Sequence, residues 1–522
     1  MCAYPPDTAG TESTWTIAGC NEMLSKRRLL YYNDSRHYYM YSYDPPMRLQ
    51  DAWAPVDEVA GTAVDTFVYG SGAGTAMLHD TQVGEVWGRR LQRFDSAWAW
   101  RAYENVKSLI DHGLDPLNVL IDRAHDKGME FFASLRVSHG MDPKDVGNVF
   151  NLQFKIDHPD WCLKGSGNHA LNWIFPEVRA ERFALAEEYV TRYDLDGLEI
   201  EWTFLPTFFE EGEVARNTHI LTEFMGDVRR VVDVAASKRG RHIAFGARVL
   251  PTLSGNLAVG MDVPSWVEQG LVDFVVPNVY LDRQIDPDFP FEWLVDITRE
   301  TECEVYPILQ RGVRGLDIRD GRVASSLDVH ASLEQYRAGA AAYWAKGADA
   351  IYVTFLRWPP GSEQRHILSE IHDPDQLKEK SKHYVIRRHH DESDKYGYST
   401  PLKSTLTAGS RGQTAGFFVA DEPDTAAARL RIRLTGSTSL DSLVVSFNGD
   451  VLPPAKCIRT DLDGYYGAWL EYPLVGGALL KGRNEVGVVL NSRPQYLTES
   501  IIWESAELLV GYSSPRASSP MP

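Results

Sequence analysis

Tyr193-Asp194-Leu195-Asp196-Gly197-Leu198-Glu199-Ile200-Glu201-Trp202 is an apolar run that ends on two glutamates spaced two apart. Side chains of a strand alternate between its faces, so Glu199 and Glu201 share one face while Leu198 and Ile200 share the other. In a parallel β/α barrel, Leu198 and Ile200 would meet the outer helices and the glutamates would point inward. Glu201 would then lie nearer the C-terminal mouth, where such barrels hold their active sites. Glu199 also reads as a buried carboxylate paired with an arginine, and Glu201 as the carboxylate of a site.

Seven further runs of the same kind support the barrel. They are 28–33 (RLLYYN), 64–70 (VDTFVYG), 130–137 (EFFASLRV), 243–249 (IAFGARV), 272–280 (VDFVVPNVY), 304–310 (EVYPILQ) and 350–355 (AIYVTF). Helix-like segments lie between most of them. One is 116–128 (PLNVLIDRAHDKG), with helical spacing and a closing glycine, and another is 176–193, with proline at its start. Eight strand/helix units fit a (β/α)8 barrel over 26–375. An open doubly wound sheet normally carries a glycine-rich phosphate turn after its first strand, and Asn33-Asp34-Ser35-Arg36-His37 is no such turn. Gly70-Ser71-Gly72-Ala73-Gly74 has the wrong spacing for a nucleotide cradle and reads as a flexible active-site loop.

After residue 360 the pattern changes. Residues 376–394 read as a charged linker, and 395–512 as short alternating strands separated by turns, an all-β sandwich of jelly-roll type. Such a sandwich binds glycan or covers one side of the barrel. Residues 1–25 read as an irregular arm and 513–522 as a disordered tail.

The 522 residues suffice for two or three domains with large cores. A formal net charge of −19 argues against nucleic acid or an anionic membrane as partner, because both need clustered Lys and Arg. The five cysteines, Cys2, Cys20, Cys162, Cys303 and Cys457, are scattered and form no CxxC pair, as expected of free thiols. No zinc pattern and no membrane-length apolar run occurs. MCAYPPDTAGTESTW carries neither a basic start nor an apolar core, so a cytoplasmic protein is expected. No cofactor or metal is expected, and nothing in the sequence fixes the oligomeric state.

Three segments, in order, resemble the glycosyl hydrolase-like family 10 barrels, a bacterial family of glycan-acting proteins. They are 115–134 (DPLNVLIDRAHDKGMEFFAS), His158-Pro159-Asp160-Trp161 followed by 172–197, and 263–280 (VPSWVEQGLVDFVVPNVY). The resemblance implies a barrel that acts on carbohydrate, and it puts the family's strand-4 aspartate on Glu201. Glu199 falls where the family has a histidine or similar residue, so the family's substrate does not carry over. Chitinase-type barrels share an acidic strand of this kind, but their proton donor would fall on Thr203, which cannot donate one. The sandwich resembles the jelly-roll domains appended to glycosidases, through Leu480-Lys481-Gly482-Arg483-Asn484-Glu485-Val486.

Glycosidic cleavage needs a proton donor at the leaving oxygen and a second carboxylate as nucleophile or base. Glu201 is the expected general acid/base, with Glu199 or Asp282 as its partner. Asp282 alternates with Tyr280 and Asn278 after the sixth strand. Asp34 follows the first strand as a further carboxylate or a sugar-hydroxyl contact. Arg136 and Arg248 end the third and fifth strands, and either bind an anionic sugar group or neutralise the two glutamates. His139, Gln310, Asn278 and Tyr280 are candidate substrate contacts. Trp202 and Trp358 are candidate stacking platforms, although with 14 tryptophans in the chain most must be core. The expected activity is hydrolysis of an oligo- or polysaccharide. The alternatives are a carbohydrate-binding barrel without catalysis, or a sugar lyase or isomerase using Tyr280 or His139 as base.

Overall fold

The computed structural model describes residues 27–512 apart from 36, 72–75, 139, 166, 168, 320–321, 423–426, 463–466 and 476. The expected arm, the tail, His139 and most of the 70–74 loop therefore lie outside the described residues.

Parallel strands β1 (Leu29–Asn33), β2 (Thr66–Tyr69), β3 (Glu130–Arg136), β4 (Gly197–Glu201), β5 (Ala244–Val249) and β6 (Phe274–Pro277) line up in chain order. Beyond β6 comes β7 (Glu304–Val305), and at the far end of the same path β1 is followed by β11 (Ile351–Thr354) and then β8 (Ile308–Leu309). β7 and β8 are consecutive in the chain, separated by Tyr306 and Pro307. The two ends of the sheet are thus one seventh strand, and the barrel closes on it. Tyr306 N donates to Val275 O at 2.9 Å on one side, and Tyr352 N donates to Pro307 O at 3.2 Å on the other. Pro307 has no N–H to give, which is why the ladder breaks there. A hairpin of β9 (Gly312–Arg319) and β10 (Arg322–His330) leaves the mouth side next.

The period of two sorts the strand residues. Leu30, Tyr32, Phe132, Phe274, Tyr306 and Tyr352 form an inner cluster. Leu29, Tyr31, Phe131, Leu198, Ile200, Phe245 and Val353 face outward into the core shared with the helices. Inside, rings stand opposite positions without side chains. A Cβ on Gly197 would lie 2.6 Å from the Phe132 ring, and one on Gly246 would collide with Phe274. The helices follow their sequence signals. Asp115 caps Pro116–Asp126 by accepting from Leu117 N, and Val214–Arg239 stops at Gly240 in the left-handed region.

The C-terminal region pairs β12 (Lys382–Val385), β13 (Ser404–Leu406), β15 (Ala427–Thr435), β18 (Ile458–Asp461), β19 (Gly467–Leu474) and β21 (Ile501–Gly511) in one sheet. β14 (Gln413–Val419), β16 (Ser442–Phe447), β17 (Asp450–Val451) and β20 (Gly482–Ser492) make the other, and both are antiparallel. The stretch 376–394, expected as a linker, instead contains β12, which pairs with β21. The charged segment 389–395 contains a helix, Asp391–Lys395, with Ser393 fully buried. The charges there suggested solvent, but His390 caps this helix and Ser393 bonds Asp282 of the barrel.

Helix Leu333–Ala345 joins the two parts. Its Ala340 and Tyr343 belong to the barrel core, while Ala338 belongs to the sandwich core. Its sequence, LEQYRAGAAAYWA, is apolar on more than one face, as a helix covered on both sides must be. Among the described residues no helix is long and apolar enough to cross a membrane.

Gly246→Ala is expected to destabilise the protein by about 1–3 kcal/mol through overpacking against Phe274. Gly226→Ala, in Val214–Arg239 where only the flexible end of Arg230 is near, should stabilise it by about 0.5–1 kcal/mol. Urea denaturation of the two variants reads the opposite signs.

Candidate active site

Strand register sets the interior of the mouth. Arg136, Glu201 and Arg248 are lateral partners on β3, β4 and β5, and Ser134, Glu199 and Gly246 lie one step deeper. All four charged groups are buried. Arg248 reaches down to Glu199, Nε to Oε1 at 2.9 Å. Ser134 Oγ also donates to Glu199 at 2.5 Å, and Arg248 donates to Tyr352 OH at 2.5 Å while its guanidinium lies over the Tyr32 ring. Burial pushes the Glu199 carboxyl up, against the pull of Arg248 and Ser134. Glu199 and Arg248 thus form an ion pair below the mouth, which is the neutralising alternative weighed for both residues.

Glu201 is held differently. Its Oε1 accepts from Thr203 N at 2.7 Å, Thr203 Oγ1 at 2.5 Å and Phe204 N at 3.0 Å. Its Oε2 accepts from Arg136 Nε at 3.0 Å. These bonds all make Glu201 an acceptor. The turn after β4 exists to serve it: Thr203, the residue that cannot replace a chitinase donor, caps the glutamate instead. Thr203 is fixed in turn by Asn278, which donates to Thr203 Oγ1 at 3.1 Å, and Asn278 accepts from Gln310 at 2.8 Å.

Arg136 is the hub. Beyond Glu201, it donates to Tyr280 OH at 2.6 Å and lies 3.7 Å from Asp34 Oδ1. Its guanidinium sits against the rings of Phe204 and Tyr280. Burial works against its charge, but Tyr280, Tyr32, Glu201 and Asp34 outweigh that and hold it well above the usual guanidinium range. Tyr32 OH also donates to Asp34 at 3.2 Å. The mouth therefore brings together Asp34, Arg136, Glu201, Asn278, Tyr280 and Gln310.

Other expected residues lie elsewhere. Asp282 accepts from Arg387 at 2.9 Å, Ser393 at 2.5 Å and Gln284 at 2.9 Å, so it ties the barrel to the segment entering the sandwich. Trp202 has no exposed surface; it packs against Trp173, Phe208 and Trp266 behind β4. A ring with no free face cannot stack on a sugar, so Trp202 is core. Trp358 does stand at the rim after β11, with His37, Tyr38 and Tyr41 around it, and Tyr41 is 55% exposed.

Sequence reasoning missed Tyr32, Phe204 and Glu58. Tyr32 was findable, two residues before Asp34 on an alternating strand. Glu58 had no signal, because it lies between strands in a helical segment. It accepts from Tyr31 OH at 2.8 Å and Asn33 at 2.9 Å, and from Tyr38 OH, under the Trp358 cluster. Burial pushes its carboxyl up to about 7, beyond what these donors offset. Among the described residues no cluster of His, Cys, Asp and Glu is arranged to hold a metal.

Two predictions follow from these pairs. Arg248→Met, which strands Glu199, should cost about 3–5 kcal/mol in denaturant unfolding, and Glu199→Leu combined with it should recover most of that loss. The folded pKa of Glu58 is raised, so the folded chain binds its proton more tightly than the unfolded chain does. Its contribution is present in full below the ordinary carboxyl range and is lost as pH rises through about 7. Glu58→Gln should therefore melt at a temperature that gains on the parent's between pH 5 and pH 8, roughly the span of that titration. A pH-independent difference would refute it.

Glycosyl hydrolase DigH of Escherichia coli K12 is 24% identical over 234 aligned residues, covering 37% of this chain and 53% of that one. The proteins of that name in Escherichia coli CFT073 and Shigella flexneri match to the same extent. The chain spans about half the length of these relatives. Among solved structures, α-L-fucosidase isoenzyme 2 from Paenibacillus thiaminolyticus is 12% identical with a TM-score of 0.41, over 67% of this chain and 48% of that one. A family GH18 chitinase from Chromobacterium violaceum is 9% identical with a TM-score of 0.38, over 94% and 89%. Likeness at that level supports neither a substrate nor a mechanism. Residues 79–218, which include β3, β4 and both glutamates, match the glycosyl hydrolase-like 10 family.

Proposed function

We propose that the chain is a glycoside hydrolase that cleaves glycosidic bonds of an oligo- or polysaccharide at the barrel mouth, with Glu201 and Asp34 as its working carboxylates. The observation that carries this reading is Arg136, whose guanidinium lies 3.0 Å from Glu201 and 3.7 Å from Asp34 at the C-terminal ends of the strands. Two carboxyl groups flanking one position are what glycosidic cleavage requires. Glu201, which accepts at both oxygens, takes the role of base or nucleophile. Asp34, across Arg136 from it, takes the role of acid at the leaving oxygen. This assignment replaces the expectation of Glu201 as donor with Asp282 or Glu199 as second carboxylate, since Asp282 serves the junction and Glu199 is closed off by Arg248. No cofactor enters the reaction.

One observation favours a second reading. Both oxygens of Glu201 are engaged, and Phe204 and Tyr280 cover Arg136. A barrel that binds carbohydrate without cutting it would use Glu201 only to orient Arg136.

Release of reducing ends from a broad panel of glycans separates the two. The hydrolase reading expects release by the parent, and losses of about 10²–10⁴-fold in Glu201→Gln and Asp34→Asn with unchanged circular dichroism. Release that survives both changes sinks the assignment. Sugar binding that is indifferent to Glu201→Gln, without release, selects the binding barrel.

A further inference from the structure

The loop end of the sandwich holds a cleft of about 530 Å³ that has no part in the barrel chemistry. It is built where the turn after β15 (Gly436, Ser437, Thr438), strand β18 (Arg459, Asp461) and the 493–499 segment between β20 and β21 meet. Its volume falls in the range of small-ligand sites, roughly 300–1,000 Å³.

Two features of its lining point to a ligand. The first is a set of buried polar atoms without hydrogen-bond partners among the described residues: Ser437 Oγ and Arg493 Nε and Nη1. Ser437 is 5% exposed and the side chain of Arg493 is 9% exposed, with the unexposed Asp441 behind the lining. Arg493 and Asp441 face each other at 3.5 Å, close enough to pair as charges but not bonded, while Arg493 Nη2 donates to Gly436 O at 2.9 Å. Leaving such atoms unsatisfied is costly, and a bound group that both donates and accepts removes the cost. The second feature is Tyr496, 76% exposed on the rim, a large ring offered to solvent.

Beside that pair stands another of the same kind. Arg459 Nε donates to Asp461 Oδ1 at 2.9 Å, with both side chains partly or largely exposed. A guanidinium next to a carboxylate offers donors and acceptors a few ångströms apart, the pattern that vicinal hydroxyls of a pyranose satisfy. Within the lining, Arg459 and Arg493 balance Asp461 and Glu499 in charge, which suits an uncharged ring. A flat aromatic face supplies the apolar half of sugar recognition.

We propose that this cleft binds a neutral sugar unit of a glycan, stacked on Tyr496 and hydrogen-bonded by the Arg459–Asp461 pair, Ser437 and Arg493. The proposal rests on the reading of the chain as glycan-acting, and it gives the sandwich a share in holding the polymer. The site is connected to the barrel through β21. That strand starts beside the cleft at Ile501, and Glu504 three residues on is bonded by Arg388, whose carbonyl accepts from Gln284 near the mouth.

The test is affinity electrophoresis of the full chain in gels containing dextran, galactomannan, xylan, β-1,3-glucan or mixed-linkage β-glucan. The parent should be retarded by at least one of these. Tyr496→Ala should weaken that retardation about tenfold, a loss of roughly 1.4 kcal/mol, while hydrolysis of short aryl glycosides stays at the parent's level. A parent that no polymer retards, or a Tyr496→Ala protein retarded as strongly as the parent, overturns the proposal. Glu201→Gln run alongside separates the two ideas: retardation through Tyr496 without any hydrolysis by the parent keeps the cleft and removes the hydrolase, and hydrolysis without retardation does the reverse.

Discussion

The barrel depends on cancelling charge where water is excluded. Two glutamates two residues apart on β4 point into an interior whose other layers are rings and glycines. An isolated carboxylate there would cost more than the fold can spare. The neighbouring strands each supply one arginine, Arg136 from β3 and Arg248 from β5, in register with Glu201. The deeper pair is sealed by Tyr32, Tyr352 and Ser134, and the upper one stays connected to Asp34 and Tyr280. One chemical problem, solved twice on adjacent strands, yields a fixed lower pair and an upper pair at the mouth.

That division explains the reach of the sequence. Alternation gave the inward face of every strand, so the meeting of Glu199, Glu201, Arg136 and Arg248 was legible from periodicity alone. The allocation of partners was not: Arg248 lies level with Glu201 yet turns down to Glu199, while Arg136 holds Glu201. Asp282 kept the alternation of Asn278 and Tyr280 but answers to Arg387, more than a hundred residues later, and no local pattern reports such a partner. Trp202 follows a strand that ends at Glu201, and with the strand ended its side chain turns out among Trp173, Phe208 and Trp266. The sandwich strands were found by alternation and turns, while β12 hid in a charged stretch because its lysine is buried against Asp421.

Asp421 shows the same logic outside the barrel. It gathers Lys382, Tyr384 and Tyr512, three residues that read as polar surface in isolation. Buried ions in this chain are accompanied by tyrosine hydroxyls at Asp421, Glu58 and Arg136 alike. The tyrosine ring fills apolar volume while its hydroxyl meets the charge, and the 24 tyrosines of the chain are used for that purpose repeatedly.

The split seventh strand gives the closure of the barrel its character. On either side of Tyr306 and Pro307 the ladder is only two residues long, so the seam there is the shortest join in the wall. Helix Leu333–Ala345 lies across it, touching β8 and β11 beneath and β12 above. The sandwich therefore works as a splint, backing a helix that lies over the thinnest joint of the cylinder.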